Sequence, residues 1–264
     1  MANSTRKRAQ LQAERLAAAK KARRRRLWTA LFCVVVVAAA VLFIVWWLQR
    51  DGSSTSGGGS TATRGGPAVT PPNAATGGTG ILANPAATAP AHTLVLFGDY
   101  QCSACANLET ALAPVLQAAA SSTSVQLEFR NRDFLDEASG HGTWSRPASI
   151  ASACADTVGA FLPYHMAIYA HFGGLSDAVL RDTIPGEIGL TGTGLTTFQQ
   201  CYDNEQTAAF VDAMEQQAAS DMYNAGFTGT PTLVLDGQKV DVATWAGADG
   251  TIDVTKAKAD LGLA

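Results

Sequence analysis

The stretch LVLFGDYQCSAC, at residues 94–105, decides the fold of this chain of 264 residues. Its first five residues form an unbroken apolar run, which predicts a buried strand. The strand leads into Cys102 and Cys105, and leucine and valine side chains then recur at helical spacing as far as residue 116. The stretch therefore predicts a strand that ends at a pair of cysteines at the start of a helix.

The position of the cysteine pair has chemical consequences. The first turn of a helix offers unpaired backbone N–H groups and a partial positive charge, and both favour a thiolate over a thiol. The thiolate is the nucleophile in disulfide exchange and also the better leaving group. We therefore interpret Cys102, which is nearer the helix start, as the sulfur that substrates attack and Cys105 as the resolving sulfur.

A second motif, TGTPTLVLDG, follows at residues 228–237. Pro231 precedes a β-branched and apolar run, so it is predicted at the entry to a strand and not in its middle. A tight entry of this kind is where cis proline occurs, so we expect a cis bond between Thr230 and Pro231. The Asp-Gly pair at residues 236–237 then predicts a hairpin turn.

The order of these motifs resembles that of a known family. A strand, a CxxC pair at a helix start, a long helical stretch and Gly-Thr-Pro-Thr before a hairpin resemble the DsbA-like thiol:disulfide oxidoreductases of the membrane-anchored actinobacterial type. The resemblance spans about residues 91–264. It implies an α/β thioredoxin fold with an inserted helical domain at about residues 143–224, and a reaction without a cofactor. It also implies that the loop carrying Thr230 and Pro231 lies against the cysteine pair and receives the substrate.

The chain departs from the resembled family at two places. Many members have an acid six residues before the first cysteine, buried as a proton relay, and this chain has Leu96 there. Asp99 is the nearest carboxylate, and we expect it to be exposed instead. Ser103 and Ala104 replace the proline or histidine that is common between the cysteines, and these two residues tune the redox potential. The direction of electron flow therefore stays open.

Periodicity and turn residues predict the remaining elements of the folded part. The predicted strands are 92–97, 124–130, 232–235 and 239–242, the predicted helices are 102–120, bent at Pro114, and 254–261, and helical runs at 149–172, 175–182, 196–202 and 205–223 fill the insertion.

The first 48 residues have the features of a membrane anchor. Residues 1–26 hold ten Lys and Arg against one Glu, a net charge of +9 that leaves −12 for the rest of a chain whose total is −3. Residues 27–48 carry no charge and, at about 33 Å as a helix, are long enough to cross the hydrocarbon core. The basic block is thus interpreted as a topology signal for a cytoplasmic N-terminus and an extracytoplasmic domain, and not as a nucleic-acid site. A cleaved signal peptide is the rival interpretation.

Residues 49–90 consist mainly of Gly, Ser, Thr, Ala and Pro, with Ile81 and Leu82 as the only pair of large apolar residues. Such a segment buries too little surface to fold, so it is predicted to be a flexible linker with a span of roughly 35 Å. The linker would let the domain move near the membrane.

The other cysteines have different predicted roles. Cys33 lies within the predicted membrane span, whereas Cys154 and Cys201 lie in the predicted insertion, on the oxidising side where pairs persist as disulfides. A bridge between these two would close a loop of roughly 47 residues and stabilise the fold by about 4 kcal/mol. A second disulfide in the helical region also occurs in actinobacterial relatives of the resembled family. Two buried free thiols are the alternative.

No metal site is predicted. A zinc knuckle would need two further ligands at a matching spacing. Cys154 and Cys201 stand isolated, and His141, His165 and His171 are interpreted as surface or helix-packing residues.

These features together predict a membrane-anchored thiol oxidase that introduces disulfides into exported proteins by dithiol–disulfide exchange. The expected partners are exported proteins with free thiols and a quinone-linked membrane reoxidant of the DsbB-like or VKOR-like type, and we expect a monomer. An anchored reductant, for example in cytochrome c maturation, and a non-catalytic thioredoxin-like binding module are the alternative functions. A purely structural CxxC disulfide is the alternative role for the cysteine pair.

Overall fold

The computed structural model describes residues 66–138, 140, 142–247 and 251–263. The predicted basic tail at 1–26, the predicted anchor at 27–48, His141 and the first part of the predicted linker lie outside the described residues. Within the described ranges, no helix is both long enough and apolar enough to cross a bilayer.

The described part contains strands, α-helices and short 3-10 and π-helical turns in an α/β arrangement. The strands are β1 (Ile81–Leu82), β2 (His92–Asp99), β3 (Val125–Arg132), β4 (Thr232–Leu235) and β5 (Gln238–Lys239). The α-helices are α1 (Ser103–Ala120), α2 (Ser145–Asp156), α3 (Phe161–Ala170), α4 (Ile184–Glu187), α5 (Gly192–Asp203), α6 (Ala208–Asn224) and α7 (Val254–Asp260).

Strand β2 lies at the centre of a sheet with the order β1-β3-β2-β4-β5. β2 and β3 are parallel, with Leu94 opposite Leu127, and the other three pairs are antiparallel. The last six residues of β2 are all buried. A strand buried on both faces requires a continuous apolar run, which is what residues 94–97 supply.

Each face of the sheet is covered by helices. On one face, Leu96 and Phe129 belong to the main core together with Leu112 of α1. On the other face, Phe97 packs in a smaller cluster with Met222 of α6. The alternation of side chains along a strand thus sends neighbouring residues of β2 into two different cores.

Helix α6 is fixed to the sheet by ion pairs as well as by apolar contacts. Arg130 and Arg132 of β3 project to its side, where they bind Asp221 at 2.6 Å and Glu215 at 2.7 Å. The predicted insertion at 143–224 therefore ends with a helix that covers the sheet directly. Helices α2 to α5 make up the remainder of that insertion.

A disulfide joins two helices of the insertion. Cys154 of α2 and Cys201 of α5 are bonded, with a Cα–Cα distance of 5.7 Å. Both cysteines are buried, with 0% and 2% of their surface exposed. The pairing is the one expected from the sequence.

The structure corrects the C-terminal part of the predicted linker at 49–90. Ile81 and Leu82 form strand β1, which pairs with β3 at the edge of the sheet. Asn84 then donates to the carbonyls of Ala119, Ser122 and Val125, and its Oδ1 accepts the N–H of Leu127 at 2.8 Å. Backbone pairing and one buried amide hold this segment, so it needs few apolar side chains to be ordered.

Some predicted boundaries also differ from the observed ones. The predicted helical run at 149–172 is two helices, because the chain turns between them at Gly159, whose φ is +71°. The second strand of the hairpin is limited to Gln238–Lys239, and a 3-10 turn at Val242–Trp245 follows. Helix α1 continues through Pro114.

Candidate active site

Cys102 occupies the N-cap position of helix α1. Its backbone is extended, and its Sγ accepts the backbone N–H of Cys105 at 3.4 Å. Cys102 is partly exposed, whereas Cys105, one turn into the helix, is fully buried, and both are free thiols. The local sequence produces this arrangement because the apolar strand β2 ends just before the helix and delivers only the first cysteine to the surface.

The two sulfurs differ strongly in acidity. A hydrogen bond from Cys105 is the largest cause that lowers the pKa of Cys102 to about 5, and the backbone N–H groups of Cys105 and Ala104 act in the same direction against partial burial. The hydrogen bond to Cys102 and burial raise the pKa of Cys105 far above its ordinary value. The pair therefore holds one proton on Cys105 and a thiolate on Cys102 at neutral pH.

The loop before β4 lies against the cysteine pair. The bond between Thr230 and Pro231 is cis, as expected from the sequence. The carbonyl oxygen of Thr230 is 3.5 Å from Cys102 Sγ and accepts its hydrogen when the sulfur is a thiol. The structure thus brings together Cys102, Cys105, Thr230 and Pro231, the four residues that the sequence analysis placed at one site. Their chemical roles remain predictions.

A groove continues from this loop along the hairpin. Its apolar lining is Leu108 of α1, Pro231, Leu233, Val240, Val242 and Ala243, and Lys239 and Asp241 also line it. The groove is therefore mainly apolar, and it begins at Pro231, next to the residue whose carbonyl is 3.5 Å from Cys102 Sγ.

Asp99 is buried under the site, and the expectation that it is exposed was wrong. Strand β2 continues two residues beyond its predicted end and carries Asp99 inward, where its exposure is 0%. Its carboxylate accepts the hydroxyl of Ser145 at 2.6 Å and the backbone N–H groups of Gln101 at 2.9 Å and Leu135 at 3.3 Å. Burial raises the pKa of Asp99, and these hydrogen bonds act against the rise.

Two buried polar residues near the site were not identified from the sequence as functional. Glu109 of α1 is 1% exposed, and its Oε2 lies 2.6 Å from Nε2 of the equally buried His165. The sequence indicates surface or helix-packing roles for both His165 and His171. His165 is buried between helices, and His171 is partly exposed and pairs with Glu187. A signal for Glu109 was present, since it stands in the apolar stripe of α1 four residues after Cys105.

Among the described residues, no group of His, Cys, Asp and Glu is arranged to hold a metal ion. Leu96 is 1% exposed and packs in the main core, so the position that carries an acid in the resembled family is apolar here. The site thus consists of a thiolate, a buried thiol, a carbonyl-bearing loop and an apolar groove. Such an arrangement can carry out thiol–disulfide exchange.

Comparison with known proteins agrees with this architecture. The chain is similar to MdbA, a thiol-disulfide oxidoreductase from Corynebacterium diphtheriae, with 17% identity and a TM-score of 0.54 over 75% of this chain and 100% of that one. It is also similar to BdbD from Bacillus subtilis, with 18% identity and a TM-score of 0.48 over 75% of this chain and 99% of that one. For DsbA from Mycobacterium tuberculosis the values are 20% and 0.46, over 66% of this chain and 91% of that one. At 17% identity, the likeness to the Corynebacterium diphtheriae protein concerns the fold alone.

A search among curated proteins gave no match. The family model described as thioredoxin matches residues 82–254, which run from strand β1 to the start of helix α7 and include both the cysteine pair and the cis proline. This chain therefore belongs to the thioredoxin family.

Proposed function

We propose that this protein is a membrane-anchored thiol:disulfide oxidoreductase that introduces disulfides into exported proteins. Cys102 is the sulfur that a substrate thiolate attacks, and Cys105 is the sulfur that leaves and later resolves the mixed disulfide. Thr230 and Pro231 form the loop that receives the substrate chain beside Cys102. Cys154 and Cys201 form a structural bridge that takes no part in exchange.

The observation that carries this proposal is the acidity of Cys102. Its pKa is lowered to about 5, first by the hydrogen bond from Cys105. A stabilised thiolate exists only in the reduced protein, so it shifts the equilibrium toward reduction of the protein and oxidation of the substrate. The low pKa of Cys102 therefore supports the direction of electron flow that we propose, which is that of an oxidase.

The substrate loop supports the same proposal. The carbonyl of Thr230, at 3.5 Å from Cys102 Sγ, is directed toward the attacked sulfur. An extended substrate chain that pairs with this loop would place its own sulfur over Cys102. The apolar groove beyond Pro231 provides contact surface that does not depend on one substrate sequence.

The cellular arrangement is part of the proposal and rests on the sequence. The uncharged segment at 27–48 follows a block with a net charge of +9, which favours a single-pass protein with its N-terminus in the cytoplasm and its catalytic domain outside. A dithiol that has oxidised its substrate must be reoxidised. We assign this step to a quinone-linked membrane protein of the DsbB-like or VKOR-like type, which would share the membrane with the anchor.

The redox potential of the full-length protein tests the proposal. We expect an equilibrium with glutathione that gives a value near that of DsbA, about −120 mV. A value near that of thioredoxin, about −270 mV, would instead support an anchored reductant, and a pair that is inert to exchange would support a binding module. A variant with Cys154 and Cys201 both changed to Ser serves as the control and should have the same potential.

A further inference from the structure

A buried acid lies one helical turn beyond the resolving cysteine. Glu109 follows Cys105 by four residues on α1, and both side chains face the core, with 1% and 0% exposure. Residues with this spacing lie on one face of a helix, with their Cβ atoms about 5–6 Å apart. A carboxylate buried in a core is costly unless it is paired, so the partners of Glu109 define what it can do.

The partners of Glu109 form a chain of hydrogen bonds that fixes where the protons are. Asn131 Nδ2 donates to Tyr100 Oη at 3.1 Å, and this phenol lies 2.8 Å from Nδ1 of His165. The phenol hydrogen is therefore available for Nδ1, which leaves the hydrogen of a neutral His165 on Nε2. In this tautomer Nε2 donates to Glu109 Oε2 at 2.6 Å, which leaves the other carboxyl oxygen, Oε1, as the one that can accept a proton.

The other oxygen of Glu109 lies near Gly98, at the end of strand β2 that leads to Cys102. Oε1 is buried and has no hydrogen-bond partner among the residues that the structure describes. A Cβ placed on Gly98 would lie 3.5 Å from this oxygen and 3.0 Å from Tyr169 Oη, so both groups flank the end of β2. Tyr169 Oη in turn donates to the carbonyl of Asp99, which also accepts the N–H of Cys102.

These groups share one buried compartment. The pKa of Tyr169 is raised first by burial and further by the charges of Glu109, Cys105 and Asp99. The titratable groups around Glu109 are thus His165, Tyr169 and Tyr100, and both Cys105 of its own helix and Asp99 lie close enough to act on the same Tyr169. Of the two carboxylates, Asp99 has its oxygens occupied by three donors, which leaves Glu109 as the one with a free oxygen.

We propose that the Glu109–His165 pair is the internal acid–base of the exchange reaction, which takes the proton of Cys105 when the disulfide closes and returns it when the disulfide opens. This inference rests on the proposed exchange at Cys102 and Cys105. Tyr100 acts as a positioning residue, because its hydrogen bond to Nδ1 keeps the hydrogen of His165 on Nε2, the nitrogen that contacts Glu109.

The proposed step balances in atoms and electrons. A substrate thiolate bonds to Cys102, the bond between Cys102 and Cys105 breaks, and its electron pair goes to Cys105, which takes the proton from the pair. A second substrate thiolate then bonds to the first substrate sulfur, and Cys102 leaves as a thiolate. Two electrons have passed from the substrate to the protein, and the two substrate protons have gone to solvent. On reoxidation, the Cys102 thiolate bonds to one sulfur of an oxidant disulfide, and the other oxidant sulfur leaves as a thiolate. Cys105 then gives its proton to Glu109 and bonds to Cys102, and the oxidant sulfur held by Cys102 leaves as a thiolate.

The closing step can be measured in the full-length protein. The reduced protein is mixed with oxidised glutathione between pH 5 and 9, quenched with acid, alkylated and analysed by mass spectrometry. The mixed disulfide on Cys102 and the closed disulfide are then counted separately. For Glu109→Gln we expect the mixed disulfide to form at the wild-type rate but to close at least tenfold more slowly at pH 7, a lower bound on the roughly 10²- to 10⁴-fold that general base catalysis typically contributes. The difference in closing rate between Glu109→Gln and the wild type should become smaller toward pH 9, where hydroxide removes the proton of Cys105.

Two further variants control the measurement. Glu128→Gln changes another buried glutamate, on β3, which pairs with Arg130 at 2.8 Å on the other face of the sheet, and closure should stay within twofold of wild type. Tyr100→Phe keeps the ring but removes the hydroxyl that binds His165, so closure should slow two- to fivefold and the inflection of its pH profile should shift.

The outcomes separate this inference from the proposed function. If the wild-type protein forms no mixed disulfide, the proposed exchange itself fails. If it forms one and Glu109→Gln closes it at the wild-type rate with the same pH profile, only the acid–base role is overturned. Should Glu109→Gln not fold, a Tyr100→Phe profile that superimposes on the wild type would overturn it.

Discussion

The two cysteine pairs of this protein are in opposite environments. Cys102 and Cys105 are three positions apart at the start of one helix, with Cys102 partly exposed and both thiols free. Cys154 and Cys201 are 47 positions apart on two helices, and both are buried and bonded to each other. The same residue type therefore supplies a reactive pair and a structural bond in a single chain.

The difference shows what makes a cysteine pair reactive. Exchange requires a thiolate and access for a second sulfur. Cys102 has both, because backbone N–H groups and the thiol of Cys105 face its sulfur at an open helix end. Cys154 lies in the core beside Thr207, whose hydroxyl oxygen is 3.5 Å from its sulfur, and no thiolate from solvent can reach it.

The largest effect on exchange is expected when the two reactive sulfurs are removed one at a time. Cys102→Ala should reduce exchange to the level of the reaction without protein, because the remaining Cys105 is buried and its pKa is raised far above its ordinary value. Cys105→Ala should leave long-lived mixed disulfides on Cys102, since no resolving thiol remains. Mass spectrometry of protein recovered from a thiol substrate checks both results. Adducts that accumulate only in Cys102→Ala would reverse the two roles.

Removal of the structural pair should have the opposite effects, with stability lowered and exchange unchanged. Changing Cys154 and Cys201 together to Ser removes a bond that closes a loop of 47 residues. We expect the free energy of unfolding to fall by about 4 kcal/mol. For a domain of this size, that corresponds to a melting temperature lower by roughly 8–16 °C.

The readouts for this variant are thermal unfolding and the exchange rate of the oxidised protein. The exchange rate should remain within twofold of wild type, because neither cysteine contacts the active site. An unchanged melting curve would contradict the structural role of Cys154 and Cys201. Loss of exchange activity without a loss of stability would mean that this pair takes part in exchange.

The smallest effect that distinguishes the pairs is a dependence of stability on pH. The pKa of Cys102 is lowered from its ordinary value of 9.0 to about 5, so between these two values the unfolded reduced chain binds more protons than the folded one. The stability of the reduced protein should therefore rise with pH across this window. The contribution of Cys102 to that stability should be lost as the pH falls through about 5. The oxidised protein has no such titration.

The measurement is the melting temperature of the reduced protein minus that of the oxidised protein, at pH 5 and at pH 8. The reductant must open only the exposed pair and leave the Cys154–Cys201 bond intact. We expect the difference to increase by a few degrees toward pH 8, because solvent screening at the partly exposed Cys102 leaves only part of the pKa shift as stability. Cys102→Ser cannot form the disulfide, and its own melting temperature should lack this rise between pH 5 and pH 8. A difference that is flat with pH would mean that the thiolate is not stabilised in the folded protein.

The sequence was most informative where structure depends on local pattern. The strand, the cysteine pair and the helix were predicted within two residues of His92–Asp99 and Ser103–Ala120, because an unbroken apolar run followed by helical periodicity allows few alternatives. The cis bond before Pro231 was also anticipated, since a proline at the head of a strand has few allowed geometries.

Features that depend on distant partners were missed. Strand β1 has only two residues, and it is ordered by the edge of β3 that it meets, which no local pattern encodes. The pairing of Glu109 with His165 joins residues 56 positions apart on different helices. The burial of Asp99 followed from a two-residue extension of β2, which lies within the usual uncertainty of a strand end.

The edge strand β1 also has a practical consequence for preparing this protein. A recombinant fragment that begins at residue 91, where the sequence suggests that the domain starts, would lack β1, Asn84 and the bond of Asn73 to Asp156 at 2.8 Å. Strand β3 would then present an open row of backbone N–H and C=O groups, and such edges pair with other chains and aggregate. A fragment that begins at residue 66 keeps β1 paired with this edge. We therefore expect it to be more soluble than the fragment that begins at residue 91.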